Sequence, residues 1–100
     1  MNSEEIWIIS NPGKRPPFAA LACHLWGDAD FDSDGDAATP ESDWTELTIT
    51  RRPEYDQRVD VDPINDSPLT LQIRSATPGL ARKTAQFLEQ MCGGFLRRGK

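Results

Sequence analysis

The sequence predicts an α+β fold: a small antiparallel sheet of about four strands, with a C-terminal helix and a second helix packed on one face. Two observations carry this prediction. Segments in which polar and apolar residues alternate occupy the middle of the chain, which is typical of half-buried strands. Apolar residues at helical spacing follow near the C-terminus. The 100 residues suit one domain, which we place at 1–100.

The first quarter of the chain predicts a strand followed by a helix. An apolar run at residues 6–9, rich in isoleucine, predicts a strand at about residues 4–10 that ends at the turn signal of residues 11–14. Over residues 16–26, four apolar residues have the spacing of one helix face and favour a helix: Phe18, Leu21, Ala22 and Leu25. A strand forming a hairpin with the first one is the alternative.

Three alternating segments between residues 44 and 74 predict an antiparallel meander with one face buried. The residues that would share the buried face are Leu47, Ile49, Val59, Val61, Leu69, Leu71 and Ile73. Those that would share the open face are Trp44, Glu46, Thr48, Thr50, Arg52, Arg58, Asp60, Thr70, Gln72 and Arg74. The first strand adds either Trp7 and Ile9 or Ile6 and Ile8 to this open face. Residues 62–68 are predicted to form a loop.

The last predicted element is a helix that Thr77 caps, with Pro78 at its first position. Its inner stripe would consist of Leu80, Thr84, Phe87, Leu88 and Met91. The two glycines at 93 and 94 end it, and we expect the basic segment 95–100 to fray.

Charge is distributed unevenly along the chain. Residues 1–50 carry 10 acidic and 2 basic side chains, whereas residues 51–100 carry 6 acidic and 9 basic ones. The segment at about 27–43 has seven carboxylates and no base, and we interpret it as an acidic loop. This asymmetry predicts either attraction between the two halves within the fold or an acidic surface that receives a basic partner. The overall net charge of −5 disfavours nucleic acid as a partner.

Residues 30–41 match the calcium-loop pattern D-x-D-x-D-G-x5-E and resemble an EF-hand loop over these 12 residues. The resemblance implies Ca²⁺ as the cofactor, since alternate carboxylates can wrap one ion. The implied metal ligands are Asp30, Asp32, Asp34, Asp36 through its carbonyl, and Glu41. The flanks depart from an EF-hand, because Pro40 stands where the exiting helix would begin. A calcium loop of the same spacing in another fold is the remaining interpretation.

Catalytic motifs are not evident in the sequence. The single histidine, His24, adjoins Cys23, and sequence neighbours point in different directions on a helix or a strand. The spacing of Cys23, His24 and Cys92 does not fit a zinc site. We therefore expect no catalytic residues, and we expect the two cysteines to be free thiols. The start of the chain, with Glu4 and Glu5, is unlike a secretory signal, and no apolar run approaches the ~20 residues of a membrane span, so we expect a cytoplasmic protein without a membrane partner.

The functional hypothesis is a small, acidic, non-catalytic module that binds a basic protein, in the manner of an inhibitor or immunity protein that masks its target. The carboxylates would steer the encounter and tryptophans would anchor it. The expected partner-binding residues are Trp26, Asp28, Asp32, Asp34, Asp36, Asp43 and Trp44. The alternatives are a calcium-binding domain and a small dimeric enzyme. A homodimer through the open sheet face is also consistent with the pattern.

Overall fold

The computed structural model describes residues 4–28, 30–36, 43–52 and 57–99. Two helices are present in this part of the chain, α1 (Phe18–Trp26) and α2 (Leu80–Cys92). The strands are β1 (Glu5–Ser10), β2 (Phe31–Gly35), β3 (Leu47–Arg51), β4 (Arg58–Asp66), β5 (Leu69–Ser75) and β6 (Phe95–Arg98).

The strands form one six-stranded sheet in the order β2-β3-β4-β5-β1-β6, and every neighbouring pair is antiparallel. Both helices contact each other and pack on the same side of the sheet, which we call the inner face. The opposite side is the outer face. The predicted α+β class is confirmed, but the predicted number of about four strands is wrong, because β2 and β6 extend the sheet at its two edges.

Strand β2 lies within the segment that the sequence predicts as a loop. Its residues are mostly Asp, Ser and Gly, which have low intrinsic preference for strands. Pairing with β3 imposes the extended conformation, with Phe31 opposite Arg51 and Gly35 opposite Leu47. The Phe31 ring also packs edge-on against Phe18 of α1, with 6.4 Å between ring centroids. Tertiary pairing therefore overrides local propensity at this edge.

Strand β6 lies within the C-terminal segment that was expected to fray. It pairs with β1, placing Phe95 opposite Ser10 and Arg98 opposite Trp7. The Arg98 guanidinium lies 5.6 Å from the centre of the Trp7 ring, a cation–π contact that holds the strand in place. The chain turns from α2 into β6 at Gly94, whose φ of 95° and close approach to the Ser10 carbonyl suit only glycine.

The helix predicted over residues 16–26 is confirmed as α1, with Leu21, Ala22 and Leu25 buried as their spacing predicts. The alternative hairpin is excluded, because β1 pairs with β5 and β6 instead. The meander of β3, β4 and β5 is also confirmed. Strand β4 runs through part of the predicted loop as far as Asp66, and a register shift between Pro63 and Asn65 accommodates the proline.

The core lies between the inner face and the two helices, and its largest side chain is Trp44. The prediction that Trp44 stands on the open face is wrong: the side chain is 0% exposed, and its indole N–H donates to the Pro16 carbonyl over 2.8 Å. The physical reason is its position. Trp44 precedes β3, which begins at Leu47, so the alternation of the strand does not govern its direction.

Helix α2 begins at Leu80 with Gly79 as its N-cap, rather than at the predicted Thr77 and Pro78. Its buried residues are Leu80, Ala81, Thr84, Ala85 and Leu88. Of the predicted stripe, Phe87 is only half-buried and stacks on His24, with 4.4 Å between ring centroids. Met91 is 54% exposed, so its predicted burial is wrong. The helix thus turns its alanines toward the sheet, which allows close approach.

No helix in the described ranges is both long and apolar enough to cross a lipid bilayer.

Candidate functional site: the outer face of the sheet

The outer face is assembled from alternate residues of neighbouring strands. Thr48, Asp60, Arg74 and Ile6 lie opposite one another in turn and form a row across four strands. Residues that lie opposite each other in antiparallel strands share a face. The open-face residues predicted on β3, β4 and β5 therefore do lie together, and β1 contributes Ile6 and Ile8 rather than Trp7 and Ile9. No described helix covers this face.

The outer face has an acidic side and an apolar side. Carboxylates of β2 and β4 occupy the acidic side: Asp32, Asp34, Asp60 and Asp62. The apolar side lies on β1 and β6, where Ile6 and Ile8 are half-buried and Phe95 is 74% exposed. Phe95 lies opposite Ser10 and diagonal to Ile8, and Arg97 lies opposite Ile8, so this side combines apolar side chains with an arginine, a combination found at contact surfaces.

Asp60 is the most buried carboxylate of this face, with 9% of the residue exposed. Its Oδ1 accepts a hydrogen bond from the Thr48 hydroxyl at 2.7 Å and another from Nη2 of Arg58 at 3.0 Å. The hydrogen bond and the charge of Asp60 raise the pKa of the Arg58 guanidinium above its ordinary value. Asp60 is therefore a fully partnered group that joins β3 to β4.

Arg74 occupies the neighbouring position on β5 and contacts two carboxylates. Its Nη2 donates to Asp62 over 3.1 Å, and its Nη1 lies 3.5 Å from Glu4. A shallow cleft of about 330 Å³ lies beside it, lined by Glu4, Arg58, Asp60, Arg74, Ala76 and Thr77. Acids and bases alternate around this cleft and neutralise one another, so it has no strong preference for a charged ligand.

The carboxylate of Asp36, the residue after β2, binds two residues that precede β3. It accepts hydrogen bonds from the Thr45 hydroxyl at 2.6 Å, from the Thr45 amide at 2.9 Å and from the Glu46 amide at 3.1 Å. Partial burial acts to raise the pKa of Asp36, but these hydrogen bonds outweigh it and the net pKa lies below its ordinary value. Asp36 is thus a structural group, which its motif position did not reveal.

The predicted calcium ligands are not gathered around one point in the described part of the chain. Asp32 and Asp34 lie along the extended strand β2, and Asp30 and Asp32 each lie 3.4 Å from Nη1 of Arg52. Among the described residues, no group of three or more His, Cys, Asp or Glu side chains is arranged to hold a metal ion. Glu41 lies outside the described residues, so the calcium hypothesis stays a prediction. A rise in melting temperature in millimolar Ca²⁺, lost in Asp30→Asn with Asp34→Asn, is its test.

The predicted partner-binding residues are divided between different parts of the molecule. Asp32 and Asp34 are exposed on the outer face, and Asp28 is exposed after α1. Asp43 accepts a hydrogen bond from the Arg15 amide at 2.7 Å. Trp44 is buried in the core, and Trp26 is half-buried in the helix layer.

Trp26 does not reach the outer face, because it lies at the end of α1. Its indole N–H donates to the side-chain oxygen of Gln57 over 2.7 Å.

Sequence reasoning missed Phe95 as an exposed aromatic residue, and its place after two glycines was the available signal for a strand separate from α2.

Comparison of the chain with family models, with curated proteins and with solved structures gives no significant match.

Proposed function

We propose that this protein is a non-catalytic interaction module that binds a basic protein through the outer face of its sheet. The observation that carries the proposal is the arrangement of the layers: both helices pack on the inner face, and no described helix covers the outer one. A sheet face with an exposed aromatic residue and a half-buried isoleucine pair gains from being covered, because burial of apolar surface stabilises a complex.

The charge of the outer face supports a basic partner. Asp32 and Asp34 on β2 are exposed, and Asp34 makes no ion pair with any described residue. At physiological ionic strength such a field extends about 8 Å, which accelerates an encounter without holding a complex together. The acidic side of the face would therefore contribute to the association rate.

The apolar side would hold the complex. Phe95 is the most exposed large apolar residue among those described, and it lies at the same edge as Arg97. Aromatic and arginine side chains carry a large share of binding energy at protein interfaces. Phe95 thus takes the anchoring role for which the sequence suggested the tryptophans.

We propose a role without catalysis because the buried or half-buried carboxylates of this face are engaged by arginines. Asp60 is held by Arg58, and Asp62 is held by Arg74. A carboxylate held by an arginine in this way is not free to approach a bound substrate and exchange a proton with it.

Photo-cross-linking tests which face binds. A photoreactive amino acid is introduced at Thr50, on β3 in the outer face, and in a matched variant at Gln86, which is exposed on α2. Each purified variant is incubated with lysate of the source organism, and cross-linked proteins are identified by mass spectrometry. We expect the Thr50 variant to capture a protein of basic isoelectric point that the Gln86 variant does not capture.

Two results would contradict the proposal. One is equal capture by the Thr50 and Gln86 variants, which would show that the face has no selectivity. The other is a chain-to-chain adduct, formed by the Thr50 variant in the absence of lysate, that joins Thr50 to β3, β4 or β5 of a second copy, because such an adduct would replace the basic partner by a homodimer through this face.

Once a partner has been captured, kinetics separate the two sides of the face. Phe95→Ala should accelerate dissociation by tenfold or more, on the order expected for an interface hot spot, whereas Met91→Ala on α2 should not. Asp32→Asn with Asp34→Asn should instead slow association and weaken its dependence on salt.

A further inference from the structure

The two edges of the sheet carry opposite charge. Strand β2 forms one edge and presents Asp32 and Asp34, while β6 forms the other edge and presents Arg97 and Arg98. Four strands separate them, so these charges cannot pair within one chain. Neither Asp34 nor Arg97 makes an ion pair with any other described residue. Asp32 already pairs with Arg52, and Arg98 already lies over the Trp7 ring, so within the described residues Asp34 and Arg97 are the edge charges that remain for a second chain.

We propose that the chain associates with itself head to tail, with β6 of one copy adding to β2 of the next copy as an antiparallel strand. Addition of a strand to an exposed sheet edge is a general mode of protein recognition, in which main-chain hydrogen bonds supply affinity and side chains supply specificity. This association goes beyond the function proposed for the outer face because it uses main-chain groups at the sheet edges, although Asp34 and Arg97 also lie on that face.

The directions of the strands are compatible with this arrangement. The sheet has an even number of strands and each neighbouring pair is antiparallel, so β2 and β6 run in opposite directions. A second copy placed beside the first in the same orientation therefore continues the antiparallel pattern across the junction. Its helices then lie on the same side as those of the first copy, and the two inner faces are continuous.

The outward backbone groups of β2 follow from its hydrogen bonds to β3. The Arg52 amide donates to the Asp30 carbonyl at 2.9 Å, and the Asp36 amide donates to the Glu46 carbonyl at 3.2 Å. In an antiparallel pair every second residue bonds to the neighbour, and those between point to the other side. The β2 residues whose amides and carbonyls point outward are Phe31, Ser33 and Gly35.

The outward groups of β6 follow in the same way. The Gly99 amide donates to the Ile6 carbonyl at 2.8 Å, so every second residue before Gly99, namely Arg97 and Phe95, also bonds to β1. Leu96 and Arg98 are out of phase and point outward. In both strands, the residues whose backbone groups point away from the sheet edge have their side chains on the inner face. Residues that would pair across the junction therefore also place their side chains on the same face of the sheet.

Charge and shape select one register. With Gly35 opposite Leu96 of the second copy, Asp34 lies opposite Arg97 of that copy. The two side chains that have no ion-pair partner among the described residues would then pair with each other. A groove of about 170 Å³ lies on the inner side of this edge, lined by Phe18, Ser33, Asp34, Gly35 and Leu47. The side chain of Leu96 from the second copy would enter this groove and contact the apolar groups of Phe18 and Leu47.

The symmetric alternatives are less favourable. Pairing β2 with a second β2 sets aspartate opposite aspartate in every antiparallel register, and like charges directly opposite are destabilising. Pairing β6 with a second β6 gathers four arginine side chains at one junction. The head-to-tail arrangement is the one in which opposite charges meet, and its interfaces repeat to give chains or rings of copies.

Sedimentation velocity on the purified chain alone tests the proposal. We expect the weight-average sedimentation coefficient to rise with protein concentration and to fall when salt is added. Asp32→Lys with Asp34→Lys, and separately Arg97→Glu, should each abolish the rise; Arg98 is kept because its contact with Trp7 holds β6 in place. Mixing the two variants should restore association, because each then presents edges complementary to the other. Glu89→Lys with Gln86→Lys, on the exposed side of α2, is the control and should associate as the original chain does.

A substitution that leaves charge unchanged provides a second test. Ser33→Pro removes an outward amide of β2 without removing a hydrogen bond to β3, so it should block association while the circular dichroism spectrum is retained. A chain that stays monomeric at all concentrations would overturn the proposal. So would association that the Arg97 variant abolishes but the Asp32 and Asp34 variant does not, since that pattern belongs to pairing of two β6 strands.

Discussion

Arg15 is a buried arginine that ties together two segments distant in sequence. It is 8% exposed, and its side chain donates to the carbonyls of Trp44 and Gly13, both at 2.7 Å. The carboxylate of Asp43 lies 3.4 Å from its Nη2. The planar guanidinium can point N–H donors at all three acceptors at once, whereas the ammonium group of a lysine cannot. Nothing in the local sequence distinguished Arg15 from a solvated charge, because two of its three partners, Asp43 and Trp44, lie almost 30 residues away.

Removal of this side chain should destabilise the fold. Arg15→Ala leaves the buried Trp44 carbonyl without its donor and breaks the ion pair with Asp43, and we expect the free energy of unfolding to fall by about 3 kcal/mol. Chemical denaturation measures the change. The adjacent exposed Lys14→Ala should cost less than about 0.5 kcal/mol, and Arg15→Lys should recover only part of the loss. Equal effects of the Arg15 and Lys14 substitutions would contradict the role given to Arg15.

Asp36 gives stability that depends on pH. Its pKa in the folded protein lies below the usual 3.8, so its contribution is complete above that pH and is lost as the pH falls through the folded-state pKa. Because the side chain is largely exposed, Asp36→Ala should cost only about 0.5–1 kcal/mol at pH 7. The difference between variant and original chain should shrink below pH 3.8 in denaturation curves. The matched variant Asp34→Ala should cost less at pH 7, because the Asp34 carboxylate accepts no hydrogen bond from a described residue whereas that of Asp36 accepts three.

At the scale of elements, periodicity predicted helices and central strands well and edge strands poorly. Strands β3, β4 and β5 have one buried face, so their sequences alternate in a regular way. The edge strands β2 and β6 have few buried side chains, and the signal that periodicity measures is therefore weak in them. Pairing with a neighbour determines their conformation, and that information is not local.

The phase of α2 can be checked by substitution. Leu88 is 0% exposed, so Leu88→Ala should lower the free energy of unfolding by about 2–5 kcal/mol, the cost of a core cavity. Gln86→Ala on the exposed side should cost less than about 0.5 kcal/mol. Thermal and chemical unfolding of both variants decide the question. If both variants lost similar amounts of unfolding free energy, α2 would have to present a different side to the sheet.

At the scale of the whole molecule, the sequence indicated two layers but not the order of the strands. The open face was predicted from alternation, and most of its residues on β3, β4 and β5 are where alternation places them. The position of β1 between β5 and β6 was not predictable, because an apolar strand can pair with many others. That position decides which isoleucines reach the outer face, and so it shapes the apolar side of the candidate site.

The place of β1 in the sheet also has a consequence for biosynthesis. Ribosomes deliver β1 before the strands on either side of it, β5 (Leu69–Ser75) and β6 (Phe95–Arg98). At ~5–20 residues per second, the nascent chain carries an isoleucine-rich strand with no neighbour on either side for several seconds. Strands β2 to β4 can pair as they emerge, but β1 must wait for the last third of the polypeptide. Protection of this one segment by a chaperone, rather than of the chain in general, would then govern the yield of native protein.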